Sequence, residues 1–331
     1  MADGGEGTLD ALVAALGGER HTARVTGPLG DPVEAEYGIV SSGDGLSGVV
    51  EMARASGLEL VPENRRNPLL ATTRGTGELI LAACAHEPSE MIVCIGGSAT
   101  NDGGAGMAQA LGAHLTDATG GEIGPGGERL LELARLDISE MDAGVRNVRF
   151  VVACDVDNPL VGPAGASAVY GPQKGASPQD IVLLDRALGH YAAVLHRDLG
   201  VDLRETPGAG AAGGLGAGMI AFLGARLRPG VEVVMEAVRL RDRMAGSGLV
   251  ITGEGRFDEQ SMRGKTTMGV VGAAREAGVP VAVLCGRADV LPEGLEVASL
   301  ADRFGLDRAM GDTRAALADL AAELGESRAD S

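Results

Sequence analysis

Six carboxylates follow three apolar runs of the chain, and together they could bind a divalent cation. The runs are MIVCI (91–95), VVAC (151–154) and LVIT (249–252), and the carboxylates are Asp102, Asp155, Asp157, Glu254, Asp258 and Glu259. Such runs predict buried parallel strands, and ligands of open parallel sheets bind beyond the carboxyl ends of the strands. Carboxylates crowded there repel one another unless a proton or a cation intervenes. Mg²⁺ suits this pattern, because it binds a few carboxylates together with substrate phosphates.

The loop after the first run, GGSATNDGG, has the composition of an anion-binding loop. Gly96 and Gly97 allow backbone N–H groups to approach a ligand closely. Ser98, Thr100 or Asn101 can cap the helix that follows, and a helix N-terminus favours anions. The sequence therefore predicts that this loop binds a phosphorylated substrate or nucleotide.

Lysine is rare in this chain, and both lysines lie in glycine-flanked loops. Only two of the 28 basic residues are lysine, Lys174 in GPQKGAS and Lys265 in MRGKTTMG, and the others are arginine. One interpretation is chance placement on two surface loops. We favour the other for at least one of them, in which the ammonium contacts an anionic ligand. An anion-binding loop, lysines and carboxylates together indicate phosphoryl transfer, whose catalysis is mostly positioning and charge neutralisation.

Two familiar nucleotide-binding motifs are not supported. RGKT (263–266) resembles the end of a P-loop, but Glu259 occupies the position that requires glycine. GAGAAG (208–213) matches GxGxxG, but the polar segment VDLRETP precedes it instead of a strand. We interpret this stretch as a glycine-rich linker or helix entrance. We therefore rank a nucleotide-dependent oxidoreductase last among the functions considered.

Composition narrows the class of protein. The chain has 331 residues, of which 45% are hydrophobic, which predicts a globular protein of two domains. A net charge of −18 argues against a nucleic-acid surface. No apolar run has the length of a membrane span, and MADGGEGTLD does not look like a targeting peptide, so we expect a cytoplasmic protein. The spacing of the four cysteines and five histidines predicts no metal site for them.

The alternation of strand and helix patterns predicts an α/β fold. The predicted fold comprises a Rossmann-like parallel sheet domain and a second, inserted α/β domain. We assign residues 1–18, 68–112 and 247–331 to the first domain, and 19–67 and 113–246 to the second. Within the second, residues 46–57 are predicted to form an amphipathic helix.

Several long stretches are similar to those of the type I bacterial glycerate kinases. They include GPLGDPV (27–33), RNP (66–68), IGGSATNDGGAGMAQALGA (95–113), CDVDNPL (154–160), GPQKGAS (171–177) and VITGEGRFDEQSMRGK (250–265). The resemblance extends from residue 2 almost to the end of the chain. It implies phosphorylation of D-glycerate by ATP with Mg²⁺, and 2-phosphoglycerate in preference to 3-phosphoglycerate as product. From the net charge and the lack of a long apolar run we expect no nucleic-acid or membrane partner, and the oligomeric state is not readable.

The resemblance also implies a segment upstream of ADGGEGT (2–8). In the family a strand and an Asp-Ser-Phe-Lys-Gly loop precede this motif. Either the printed sequence starts at an internal methionine, which we favour, or a genuine short form binds substrate with impaired catalysis. An active kinase and an impaired binding chain are therefore both carried forward as expectations.

The resemblance and the chemistry of the residues together suggest roles. Asp258, with Gln260 beside it and Glu254 before it, is a candidate base that accepts the hydroxyl proton. Asp102 and Asp155 are candidates for Mg²⁺ binding or for the base. Lys174 and Lys265 are candidates for neutralising ATP phosphates or the glycerate carboxylate.

Two further residues have an alternative structural role. Arg66 could hold the substrate carboxylate in a bidentate pair, or it could be an ordinary surface arginine. Asn158 could contact a ligand, or it could shape the turn before Pro159.

Overall fold

The computed structural model describes residues 4–43, 45–259, 261–263 and 266–329. The chain divides into two compact units, residues 2–234 and 235–331. The strands of the first unit are β1 Glu19–Thr26, β2 Pro32–Ser42, β3 Gly45–Glu51, β4 Glu90–Cys94, β5 His114–Thr116, β6 Arg135–Asp137, β7 Arg149–Ala153 and β8 Arg226–Arg228. Its helices are α1 Thr8–Leu16, α2 Ala53–Ser56, α3 Arg74–Cys84, α4 Ala105–Ala110, α5 Ala143–Arg146, α6 Ala166–Tyr170, α7 Pro178–Leu199 and α8 Ala211–Leu223.

A six-stranded sheet of order β1-β2-β3-β4-β7-β8 forms the centre of the first unit. The pairs β1–β2 and β2–β3 are antiparallel, and β3, β4, β7 and β8 run parallel. Glu51 pairs with Cys94, and Cys94 pairs with Ala153. The segments after β3, β4 and β7 therefore leave from one edge of the sheet. Parallel strands combined with helices confirm the predicted α/β class.

Helices cover both faces of this sheet, and two strand glycines allow the close packing. A Cβ on Gly38 would lie 2.6 Å from a methyl carbon of Leu9 in α1. A Cβ on Gly48 would lie 2.5 Å from the sulfur of Met91, with Ala83 of α3 close by. Gly38 pairs with Val49 and Gly48 with Ile39, so the two glycines face opposite sides of the sheet.

The predicted helix over residues 46–57 is wrong. Residues 45–51 form β3, and only Ala53–Ser56 are helical. Residues 47–51 are buried without interruption, which is typical of a strand covered on both faces. A short buried run of this kind does not reveal its period, and its valines favour a strand.

A charged cluster fastens α1 to the sheet. The Glu51 carboxylate, 3% exposed, accepts hydrogen bonds from the Leu9 N–H and from the Arg54 Nε, each at 2.8 Å. Arg54 also donates to Glu36 at 2.6 Å. Because α1 begins directly after Gly4–Gly7, these contacts hold the glycine segment that precedes it.

The second unit contains a smaller parallel sheet. Its order is β11-β10-β9, with β9 at Val250–Phe257, β10 at Val281–Ala288 and β11 at Glu296–Ser299. The helix α9 (Gly230–Ala237) contains the point of division, and the others are α10 Leu240–Met244, α11 Thr266–Glu276, α12 Leu300–Phe304, α13 Leu306–Gly311 and α14 Thr313–Ala329. Buried residues of β10 pack with Leu300, Ala316 and Leu320.

The predicted domain boundaries differ from this division. The two units meet in sequence at Val234 and Met235, whereas the predicted parallel-sheet domain combined residues 1–18, 68–112 and 247–331. The assignment of these three segments to one domain stays a prediction. Among the described residues, no helix combines the length and the apolar character needed to cross a bilayer.

Candidate active site

A cleft of about 220 Å³ lies in the first unit, at the sheet edge where β4 and β7 end. Its lining residues are Gly4, Gly5, Ile95, Gly96, Gly97, Ser98, Ala153, Cys154, Asp155, Val156, Tyr170, Gln173, Ala211 and Ala212. The cleft therefore contains Gly96, Gly97, Ser98 and Asp155 from the residues predicted by sequence. It lies beyond the carboxyl ends of parallel strands, where ligands of such sheets bind.

Neighbouring backbone holds the glycine loop that follows β4. The Gly97 carbonyl accepts from the Leu58 N–H at 2.8 Å, and the Ala99 N–H donates to the Ser56 carbonyl at 3.0 Å. Gly97 has φ +73°, in the region that favours glycine. A Cβ there would also lie 2.8 Å from the Glu6 carboxylate. Glycine at this position thus allows both the turn and the close approach of the N-terminal segment.

A second glycine-rich segment, GAGAAGG (208–214), packs directly against this loop. The Gly103 N–H donates to the Gly213 carbonyl at 3.1 Å. Gly213 has φ +69°, and a Cβ on it would lie 2.0 Å from the Thr100 carbonyl oxygen. Ala212 also has a positive φ of 53° where the chain kinks into α8. The segment therefore includes a helix entrance, as one interpretation expected, and through Ala211 and Ala212 it forms part of the cleft wall.

Asp102 is enclosed beneath the glycine loop and is 1% exposed. Its carboxylate accepts from the N–H and hydroxyl of Thr73, at 2.8 and 2.9 Å. It also accepts from the N–H groups of Gly104 and Gly106, at 3.2 and 3.3 Å. Burial raises the pKa of Asp102, and these hydrogen bonds act in the opposite direction.

These contacts change the interpretation of Asp102. Its oxygens accept hydrogen bonds from protein donors and are shielded from solvent, which favours a positioning role, while the metal or base role stays a prediction. The carboxylate instead joins the glycine loop to the start of α3 and to the first turn of α4. We therefore assign Asp102 a positioning role.

Lys174 is also buried, at 1% exposure, and its ammonium points into the protein. Nζ donates to the Ser98 Oγ at 2.7 Å and to the Thr100 carbonyl at 2.6 Å. Burial lowers the pKa of Lys174 to about 7, and the charge of Asp102 partly offsets this effect. In this conformation the lysine holds the glycine loop from below and does not line the cleft.

Asp155 and Asn158 lie in the segment after β7. Asp155 is exposed on the cleft, and its Oδ1 accepts from the Gly230 N–H at 2.7 Å. Asn158 donates to the Ala164 carbonyl at 2.8 Å and accepts from the Tyr170 hydroxyl at 2.6 Å. Asn158 thus fixes the turn and, through Tyr170, one wall of the cleft.

Arg66, Thr100 and Asn101 each carry a buried polar atom that has no hydrogen bond among the described residues. Arg66 donates a long hydrogen bond, 3.4 Å, to the carbonyl of the cleft residue Gln173. Its Nε is buried without a hydrogen bond. The Thr100 hydroxyl and the Asn101 Oδ1 are buried and unpartnered as well, while Asn101 Nδ2 donates to Ser167 at 3.0 Å.

Two other predicted residues, Glu254 and Asp258, belong to the second unit. Glu254 lies in β9 with one carboxylate oxygen buried and without a hydrogen bond among the described residues. Asp258 follows β9, and its carboxylate accepts from the Ser261 N–H at 3.3 Å. Gln260 and Lys265 lie outside the described residues.

Comparison with known proteins identifies the family. A family model described as "Glycerate kinase family" matches residues 1–330. The chain belongs to the glycerate kinase family. A glycerate kinase of Halalkalibacterium halodurans is 53% identical over 317 residues, which are 94% of this chain and 83% of that protein. The glycerate 2-kinase of Escherichia coli K12 is 54% identical over 286 residues, 86% of this chain and 74% of that protein.

A solved structure supports the same family assignment. A crystal structure from Salmonella typhimurium LT2, designated a glycerate kinase 2, has a TM-score of 0.89 and 48% identity to this chain. The match covers 99% of this chain and 88% of the other. The α/β architecture described above is thus that of a glycerate kinase family member.

In this glycerate kinase family member, ten of the fourteen cleft residues were not predicted from sequence, among them Cys154, Val156, Tyr170 and Gln173. Cys154 and Val156 flank Asp155, and Tyr170 and Gln173 precede Lys174 closely. Their closeness in sequence to Asp155 and Lys174, which were both predicted, was the signal that could have identified them. Their residue types carry no catalytic signature, so neither charge nor motif marks them in the sequence.

The metal requirement of a kinase is compatible with the cleft. In the described part of the chain, no group of three or more His, Cys, Asp or Glu residues is arranged to hold a metal ion. Mg²⁺ in kinases needs only one or two carboxylates, since phosphates and water complete its shell. Asp155 supplies an exposed carboxylate on the cleft. This donor set fits a metal that arrives with the nucleotide.

The buried Lys174 predicts a pH dependence of stability. From pH 7 to its usual pKa of 10.5, the unfolded chain binds this proton and the folded chain does not. The free energy of unfolding therefore rises with pH in this window, by up to about 1.4 kcal/mol per pH unit. Below pH 7 the cost of burying the ammonium is present in full. Lys174→Met should lack this contribution.

Urea denaturation at pH 7, 8 and 9 measures this effect. The unfolding free energy of the wild type minus that of Lys174→Met should increase with pH. A difference that stays constant over these pH values would contradict the lowered pKa.

Proposed function

We propose that this chain transfers the γ-phosphoryl group of ATP to D-glycerate and forms 2-phosphoglycerate. The main support for this proposal is the cleft at the ends of β4 and β7, in a chain that belongs to the glycerate kinase family. Its glycine loop offers backbone close to a ligand, and Asp155 offers a carboxylate beside it. The names of the relatives support glycerate as substrate and, for the Escherichia coli protein, its 2-hydroxyl as acceptor.

Residues in and near the cleft are proposed to bind different parts of the substrates. The turn at Gly96 and Gly97 receives the phosphates, since glycine lets the backbone approach an anion closely. Asp155 would hold a Mg²⁺ that enters with ATP, and a metal bound there would supply charge neutralisation for the transferring phosphoryl group. Arg66, whose buried Nε has no hydrogen bond among the described residues and whose Nη1 donates to the Gln173 carbonyl, is the candidate partner of the glycerate carboxylate.

The identities of the catalytic base and of a second cationic residue are also proposals. Asp258 is the candidate that accepts the hydroxyl proton, and Lys265 the candidate that neutralises phosphate charge. Glu254 and Gln260 are proposed to support substrate binding. We propose that the reaction takes place in the cytoplasm, where ATP is available.

Incubation with Mg-ATP and D-glycerate tests the function. We expect ADP release that depends on D-glycerate, with L-glycerate as the matched control. Phosphorus NMR of the product distinguishes 2-phosphoglycerate from 3-phosphoglycerate. Calorimetric binding of ADP and D-glycerate without turnover would contradict the kinase proposal and favour a chain that only binds.

Asp155→Asn should lower kcat at least about a hundredfold and raise the Mg²⁺ concentration needed for half-maximal rate. Loss of one charged metal ligand weakens both metal binding and stabilisation of the transferring group. Asp157→Asn is the matched control, because Asp157 is an exposed carboxylate two residues away that does not line the cleft. Equal effects of the two substitutions would contradict the assignment of Asp155.

A further inference from the structure

One aromatic ring lines the cleft. It belongs to Tyr170, the last residue of α6, in a chain that has only three tyrosines, four phenylalanines and no tryptophan. Its hydroxyl donates to Asn158 Oδ1 at 2.6 Å, and Asn158 Nδ2 in turn donates to the Ala164 carbonyl at 2.8 Å. The half-buried ring is therefore fixed by a chain of two hydrogen bonds.

Apolar groups accompany this ring. Cys154 Sγ donates to the Val156 carbonyl at 3.2 Å, so the two residues form one tight turn after β7. The Val156 side chain is 39% exposed although it is large and apolar. Ala211 and Ala212 also line the cleft. The cleft thus has an apolar set of walls in addition to the polar backbone of Gly4, Gly5, Gly96 and Gly97.

The chemistry of the reactants decides which of them fits the apolar walls. Glycerate carries a carboxylate and two hydroxyls on three carbons, and a triphosphate is charged throughout. Contact of either with apolar side chains would remove polar groups from water without replacing their hydrogen bonds. The purine base is the one flat, largely apolar part of the two substrates, and aromatic side chains stack on such bases.

We propose that the purine base of ATP packs against the ring of Tyr170 and the side chain of Val156, which makes Tyr170 a nucleotide-binding residue. This inference rests on the proposed function for the identity of the nucleotide. The hydrogen bond to Asn158 orients the ring, and the ring itself supplies the contact area.

Nucleotide affinity of Tyr170→Leu tests the proposal. We expect the KM for ATP to rise about tenfold or more, because stacking on the base is lost. The KM for D-glycerate should change less than twofold. Tyr170→Phe keeps the ring and should recover most of the affinity for ATP. Inhibition by tripolyphosphate, which has no base, should be the same in wild type and Tyr170→Leu.

Further measurements keep the test independent of folding and of turnover. Val169→Ala is the matched control, since Val169 is an exposed neighbour in α6 that does not line the cleft. If Tyr170→Leu does not fold, Val156→Ala carries the same expectation for ATP. ADP affinity by calorimetry gives the same readout in a chain without glycerate turnover, so failure of the kinase proposal is seen separately.

Two results would overturn the proposal. One is a KM for ATP and an ADP affinity that Tyr170→Leu leaves unchanged. The other is an increase in the KM for D-glycerate with ATP unaffected, which would place the acid against the ring.

Discussion

Asp102→Ala should lower the free energy of unfolding by about 3–5 kcal/mol, because several buried hydrogen-bond donors lose a common acceptor. The substitution leaves the Thr73 N–H and hydroxyl and the N–H groups of Gly104 and Gly106 without their acceptor. Each is a buried donor, and an unsatisfied buried donor costs about 1–3 kcal/mol. Urea denaturation followed by circular dichroism measures the change.

The control for this prediction is Asp157→Ala. Asp157 is exposed, so its removal should change the unfolding free energy by less than about 0.5 kcal/mol. An Asp102→Ala chain as stable as the wild type, with an altered Mg²⁺ requirement, would restore the metal role that the sequence suggested. Loss of stability together with an unchanged Mg²⁺ dependence of the residual activity is what the positioning role requires.

Gly213→Ala should reduce kcat/KM about a hundredfold and destabilise the fold by about 2–4 kcal/mol. The new Cβ would lie 2.0 Å from the Thr100 carbonyl, at a residue with φ +69°. The left-handed conformation and the overpacking both carry a cost. To relieve the clash, the glycine loop must move relative to Ala212, and a displacement of about 1 Å at a site can cost a hundredfold in rate.

Gly189→Ala is the matched control for Gly213→Ala. Gly189 lies inside α7, and a Cβ there would meet no heavy atom within 4 Å. Alanine should stabilise this helix by about 0.5–1 kcal/mol and leave kcat/KM unchanged. Steady-state kinetics at matched temperature, with thermal melting of both variants, compares the two sites. Similar kinetics for the two variants would contradict the importance of the contact at Gly213.

Much of the scaffold was predictable because its strands are continuous apolar runs. MIVCI and VVAC fall in the buried parallel strands β4 and β7, and a cleft lies after them, where the sequence predicts a ligand-binding edge. The prediction of a helix over residues 46–57 was wrong because a strand buried on both faces shows no alternation of apolar and polar residues. In addition, Gly48 makes room for Met91, and no local sequence pattern reveals this contact. The strand-to-strand pairing that places β3 beside β4 is equally invisible to periodicity.

Within the site, the residue types could be predicted from the sequence, but the directions in which their side chains point could not. Lys174 was singled out by rarity, yet its ammonium turns inward to Ser98 and Thr100. Asp102 was singled out by its place after a strand, but its partner Thr73 lies 29 residues earlier in the chain. Tyr170 was overlooked because a half-buried ring has no catalytic signature. Each outcome depends on long-range packing that a single sequence does not contain.

The burial of Lys174 makes this residue a built-in probe of native-state opening. Acylating reagents modify amines that solvent reaches, and Lys174 is 1% exposed in a chain with two lysines. Its modification therefore has to wait until the glycine loop lifts away from it. Mass spectrometry of the peptide containing Lys174, over a time course with an amine reagent, reports the frequency of that opening. Ligands that hold the loop closed would slow the labelling, which gives a binding assay that requires neither turnover nor a fluorophore.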